Sequence, residues 1–100
     1  LAIEHLRDTL TKQNLWLYIL TFLDKHQASP SEIKDGVQSI FNFSPAAITF
    51  YTVLYRLRRE ELVEKIDNSF RSKYRLTEKG RQALKEGIEL LSETASGLSN

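Results

Sequence analysis

Ile3, Leu6 and Leu10 lie three and four residues apart, the spacing of one helix face, and predict an amphipathic helix at the N-terminus. From Leu15 to Leu23 every residue except Thr21 is apolar (Leu15, Trp16, Leu17, Tyr18, Ile19, Leu20, Phe22, Leu23). That pattern describes a helix buried on most of its circumference and places it at the centre of the core. A strand would also suit Trp16, Tyr18 and Ile19, but the run is long and meets no turn residue before Ser29.

Two helix starts with the same signature follow. In SPSEI, Ser29 can cap, Pro30 suits the first helical position because its missing N–H would find no partner there, and Glu32 can close a capping box. Ile33, Val37, Ile40 and Phe41 then form one apolar stripe. In FSPAAI, Ser44 is expected to cap, Pro45 to follow it, and Phe43 to staple onto Ile48. That helix is expected to reach about Glu60. Ala47, Tyr51, Leu54 and Leu57 share its apolar face, while Ala46, Thr49, Thr52, Tyr55, Arg56 and Arg59 face mostly elsewhere. Only Asn42 to Ser44 separate the two helices, so the chain must turn sharply between them.

After Glu61 the period changes from helical to alternating. LVEKI reads as a strand, Asp67 to Ser69 as a turn, and FRSKYRL as the returning strand of a hairpin. In that strand Phe70, Ser72, Tyr74 and Leu76 share one parity and Arg71, Lys73 and Arg75 the other. If the first set packs on the helices, three cations project from the opposite face, where they repel one another unless something anionic lies against them. Thr77 can cap a last helix with Glu78 in its first turn, and Leu84, Ile88, Leu91 and Ala95 keep helical spacing along it. From Ser92 the tail turns to Ser, Gly and Asn and is expected to fray.

The predicted fold is mainly α with a small β-hairpin: a winged helix-turn-helix with an N-terminal helix and a C-terminal dimerisation helix. It reads as one domain over residues 1–100, with the N-terminal helix at 1–12, the winged core at 14–76 and the last helix at 77–95. A stripe on a terminal helix with no partner left in the chain points to a second subunit. Ile3, Leu6, Leu10, Leu84, Ile88, Leu91 and Ala95 are its candidate dimer contacts; packing back on the chain's own core is the alternative.

Composition removes whole classes of function. One hundred residues, 41% hydrophobic and 27% charged, suit a single globular domain. The absence of cysteine excludes disulfides, thiolate zinc sites and thiol catalysis, and fits a reducing, cytoplasmic setting. No apolar run reaches the roughly 18 residues of a membrane span and no leader is visible, so no membrane partner is expected. Without methionine, Leu1 is not expected to be the translational start. His5 and His26 have no partners at ligand spacing, and no phosphate-binding Gly loop or nucleophile elbow occurs, so neither an enzyme nor a cofactor is expected. Asp24, Glu32 and Asp35 are explained by helix ends. Trp16, Tyr18 and Phe22 suit the core first, and a pocket for a small aromatic effector second.

Net charge is only +1, yet residues 56–81 carry nine Lys/Arg against five Asp/Glu, whereas residues 1–55 carry four against five. The positive field is local. A solvated basic face is one reading. Double-stranded DNA is the other: the second helix of the pair would enter the major groove, its first turn would hold a phosphate, and the hairpin would lie over the adjacent backbone. Ser44, Ala46, Thr49, Phe50 and Thr52 would then lie nearest the groove, Tyr55, Arg56 and Arg59 would reach base edges or flanking phosphates, and Arg71 and Lys73 would serve the wing.

The run TFYTVLYRLRREELVEK followed by YRLTEKGRQAL resembles the PadR family of transcriptional regulators. Tyr51, Leu54, Leu57, Leu62, Tyr74, Leu76, Thr77, Gly80 and Arg81 fall on the family pattern, from about Leu15 to Leu91. The resemblance implies that these positions belong to a winged-helix DNA-binding domain, with Tyr51 counted among the DNA contacts, and that the C-terminal helix dimerises; Arg75 is counted among the DNA contacts as one of the outward cations of the hairpin. Two departures stand out: Glu61 replaces the usual Gly before the strand Leu, and QASPSEI replaces the usual Gly-Tyr entry to the second helix. MarR-like and ArsR-like winged helices share much of this layout.

The function expected is therefore a homodimeric, sequence-specific DNA-binding regulator, most simply a repressor. A winged helix that packs on a protein partner in a larger assembly is the rival, since it would not need Arg71, Lys73 and Arg75 clear of the fold. An architectural protein that coats DNA without sequence preference is the third reading.

Overall fold

The computed structural model describes residues 1–67 and 72–100. Its elements run α1 (Ala2–Leu10), a 3-10 turn (Lys12–Asn14), α2 (Leu15–Lys25), α3 (Pro30–Phe41), α4 (Ala47–Arg59), β1 (Val63–Lys65), β2 (Tyr74–Leu76) and α5 (Glu78–Ser99). The turn residues Asn68 and Ser69, and Phe70 and Arg71 of the expected returning strand, lie outside the described residues.

α2 is the hub, as its continuous apolar run requires. Leu15, Ile19, Leu20 and Leu23 are buried, and around them collect Ile33 and Val37 of α3, Phe50, Leu54 and Leu57 of α4, Val63, Tyr74, Leu76 and Leu84. Each large side chain taken fully out of water contributes about 1.5–3 kcal/mol. Thr21, the polar exception in the run, donates its hydroxyl to the Leu17 carbonyl at 2.7 Å. Tyr18 stacks edge-on against Phe41 and Phe43, with centroids 4.8 and 5.0 Å away, and donates its hydroxyl to the last carbonyl of α1, Leu10, at 2.6 Å. Burial pushes the Tyr18 phenol up. This aromatic group clamps the start of α2 to the residues that flank the helix-turn-helix turn.

The two Ser-Pro starts behave differently. Ser29 caps α3 as expected: its hydroxyl accepts from the Glu32 amide at 3.4 Å, and Glu32 Oε1 accepts from the Ser29 amide at 2.9 Å. Ser44 does not cap. α4 begins two residues later, with Ala46 in extended backbone as its N-cap and no side-chain cap bond. Tertiary burial overrides the local signal: Pro45 is buried and Phe43 packs on Tyr18, so the expected staple onto Ile48 does not form and Ile48 stays 83% exposed. In α3, Ile40 also falls outside the buried stripe.

α4 ends without glycine. Glu61 adopts the left-handed region (φ 65°), its amide donates to the Arg58 carbonyl at 3.0 Å, and the Leu62 amide reaches back to Leu57 at 3.0 Å. This pair of bonds closes the helix and turns the chain into β1. The Thr77 hydroxyl fixes both ends of the hairpin, donating to the Glu61 carbonyl at 2.7 Å and accepting from the Gly80 amide at 2.9 Å. Gly80 is required by close approach, since a Cβ there would lie 2.0 Å from the Leu62 carbonyl oxygen.

The hairpin is antiparallel, with Val63 opposite Leu76, Glu64 opposite Arg75 and Lys65 opposite Tyr74. Ser72, Tyr74 and Leu76 are buried and Lys73 and Arg75 exposed, as the alternation requires. Tyr74 also bonds both ways to Ala28, which adds a one-residue bridge from the loop before α3. No sequence signal marks so short a pairing.

α5 runs on to Ser99 rather than fraying at Ser92. Arg81 ties its base to α2, with Nε 3.4 Å from Asp24 Oδ1. Beyond the core it projects freely, which stretches the molecule to 50 Å along its long axis. No helix among the described residues is long and apolar enough to cross a membrane. No group of three or more His, Asp or Glu among them could hold a metal ion.

Candidate nucleic-acid interface

Phe50, Leu54 and Leu57 fix the rotation of α4. They are buried at successive turns, and Phe50 has no exposed surface at all. The helix wheel then puts Ile48, Thr52, Tyr55 and Arg59 on the opposite line, all exposed, as a straight outer crest. Arg56 and Thr49 flank that crest on one side and Arg58 and Ala47 on the other. This corrects the placement of Phe50 near a groove: it is a core residue, because the larger Phe50 displaces Ala47 from the buried face that Leu54 and Leu57 share. Tyr51 is half-buried, its ring 5.3 Å from Phe50 and 6.2 Å from Tyr55. Ser44, Ala46, Thr49, Thr52, Tyr55, Arg56 and Arg59 are exposed as expected.

Charge is arranged along the crest. Arg56, Arg58 and Arg59 occupy the last turn, where the helix dipole favours cations, and none forms an ion pair among the described residues. Arg58 is a cation that sequence reasoning counted but did not single out. At the other end, the amides of Ala47, Ile48 and Thr49 find no hydrogen-bond partner among the described residues. Lys12 faces that end, lining a shallow recess with Ser44, Pro45, Ala46 and Thr49. Lys12 is adjacent only through tertiary folding, so no spacing in the sequence pointed to it.

The wing differs more from expectation. Arg75 Nε contacts Glu64 Oε1 at 2.7 Å, so its charge is offset by the residue across the ladder. Lys73 is exposed, and its charge reaches the Glu32 carboxyl, which is held below the usual range chiefly by hydrogen bonds from Ser29 and least by Lys73. Arg71 lies outside the described residues. Of the expected wing contacts Lys73 and Arg75, Lys73 is the one that forms no ion pair among the described residues; Lys65 of β1 likewise forms none among them.

The dimer candidates also divide. Leu84 is buried in the chain's own core. Ile3, Leu6, Leu10, Ile88, Leu91 and Ala95 are exposed, and Leu98 continues the stripe of α5 at 85% exposure. Trp16 packs against α5 at Gly87, and Phe22 against Gly36 of α3, so both are engaged in helix contacts.

Three helices with a tight turn between the second and third, closed by a two-stranded hairpin, make this a winged helix-turn-helix protein. Its overall fold is similar to a PadR family transcriptional regulator from Eggerthella lenta (TM-score 0.81, 20% identity, 98% of this chain and 89% of that chain). It is likewise similar to F93 from STIV, a winged-helix DNA-binding protein (TM-score 0.68, 13% identity, 81% and 89%). A PadR-like transcription factor from Bacteroides fragilis matches at 25% identity with a TM-score of 0.71 over 94% of this chain and 98% of that one. No curated protein matches significantly. Residues 19–86 match the Transcriptional regulator PadR-like family. The chain belongs to that family, and with it to the DNA-binding transcriptional regulators.

Proposed function

We propose that the chain works as a homodimeric repressor that reads a pseudo-palindromic duplex operator, with α4 of each subunit in the major groove. The supporting observation is the crest of α4: Ile48, Thr52, Tyr55 and Arg59 stand directly opposite the buried line of Phe50, Leu54 and Leu57, and the arginines of the last turn form no ion pair among the described residues. An α-helix so presented fits a groove about 12 Å wide. The amides of Ala47, Ile48 and Thr49 at the start of α4, together with Lys12, take one backbone phosphate, and Arg56, Arg58 and Lys73 take neighbouring ones. The exposed stripe of α5, with Ile3, Leu6 and Leu10 of α1, joins the two subunits.

Selection of bound duplexes from a random pool tests this reading. The expected product is a pair of inverted half-sites about 34 Å apart, one helical turn. An enriched pool without any shared sequence would remove sequence-specific recognition. Placing the selected site over a promoter is expected to lower transcription of a reporter, and a rise would contradict the repressor assignment.

A further inference from the structure

The front of the α4 crest carries no side chain that makes paired hydrogen bonds to a base edge. Arg, Lys, Asn and Gln are absent from positions 46–52. Ile48 stands there 83% exposed, outside the buried cluster. One turn on, the Thr52 hydroxyl donates to the Ile48 carbonyl at 2.8 Å, so its proton is already committed. What this end of the crest offers outward is alkyl surface, with Thr49 exposed to one side of it.

An exposed isoleucine is ordinary when it stands at random on a surface. Ile48 does not: it begins the same straight line that continues through Thr52, Tyr55 and Arg59, the side of the helix farthest from the core. In a major groove the feature that matches an alkyl tip is the C5-methyl group of thymine, which marks a T·A pair and has no counterpart on an unmodified cytosine. A β-branched side chain is also stiff about χ1, so little freedom is lost when it is fixed against that methyl.

We infer that Ile48 is a specificity-determining residue that recognises the methyl group of a thymine in each half-site. The inference rests on the DNA-binding reading above and adds a base identity to it. Arg56 and Arg59, further along, remain free for phosphates or for guanine.

The test replaces each thymine of the selected operator in turn by deoxyuridine, which removes the methyl and leaves base pairing intact. For the native chain, one position per half-site is expected to weaken binding about three- to fivefold, the effect of one methyl group leaving apolar contact. Ile48→Ala is expected to bind the unmodified operator more weakly and to be indifferent to uridine at that position. Because Ile48 is 83% exposed and stands outside the buried core, the variant is expected to keep the native melting temperature. Indifference of the native chain to every uridine would overturn the inference while leaving DNA binding intact, as would equal sensitivity in Ile48→Ala. Failure to retain any duplex would overturn the DNA-binding reading and this inference with it.

Discussion

Arg75 Nε lies 2.7 Å from Glu64 Oε1, on the residue directly opposite in the hairpin ladder. Both side chains are about half exposed, so the pair adds only a few tenths of a kcal/mol to stability. Its larger effect is on the field of the wing, where it cancels one cation. Removing both charges with Glu64→Gln and Arg75→Ala is expected to leave the salt dependence of operator binding unchanged. Lys73→Ala is expected to lower the slope of log K against log salt by about 0.9, one phosphate. Titrating affinity over a salt series for both variants separates the cases.

Glu61 holds a left-handed backbone at the end of α4, where the family pattern places glycine. An L-residue there is strained by about 1–2 kcal/mol, and glycine loses about 0.5–1 kcal/mol more entropy on folding. The strain is the larger quantity, so Glu61→Gly is expected to stabilise the fold by roughly 0.5–1 kcal/mol. Urea unfolding should show a higher midpoint at an unchanged m-value. The bonds of Glu61 and Leu62 to the last turn and of Thr77 to the Glu61 carbonyl use backbone atoms and persist in the variant.

The capping box of α3 gives a pH dependence of known sign. Hydrogen bonds from Ser29 hold the Glu32 carboxyl below the usual glutamate range, with Lys73 adding a smaller attraction. A carboxyl whose folded pKa is depressed stabilises fully above its ordinary pKa of about 4.3, and that contribution is lost as pH falls through the lowered folded value. The stability gap between the native chain and Glu32→Gln is therefore expected to be constant near neutral pH and to shrink in acid. Melting curves from pH 7 to pH 3 check this; a gap that widens in acid would contradict the assignment.

Ile88 and Leu91 are 52% and 43% exposed on α5, on a stripe that has left the core behind. Glu at either position is expected to convert the proposed dimer to a monomer that still melts cooperatively, because neither side chain belongs to the buried cluster. Sedimentation equilibrium reads the change. Operator affinity should fall at least about a hundredfold, since the half-sites are then bound independently.

Much of this architecture could be read from residue order. The run from Leu15 to Leu23 announced the central helix, Ser29 with Glu32 announced the start of α3, and the parity of Ser72, Tyr74 and Leu76 announced which side of the wing is inside. Local signals failed where tertiary contacts outweighed them. Ser44-Pro45 carries the same start signature as Ser29-Pro30, but burial of Pro45 and packing of Phe43 on Tyr18 move the start of α4 to Ala47. The phase of α4 was ambiguous because Leu54 and Leu57 belong to the buried face whether Ala47 or Phe50 precedes them. The Glu64–Arg75 pair depends on strand register, and Lys12 beside α4 depends on how α1 and α2 dock; neither is encoded in nearby spacing.

The central claim is that α4 discriminates among duplex sequences, and one competition experiment addresses it directly. Binding to the selected operator is measured against random duplex of equal length at a single fixed salt concentration. A preference of at least about 10³-fold is expected for a specific regulator. Equal affinities would contradict it and leave a protein that grips the phosphate backbone without reading the bases.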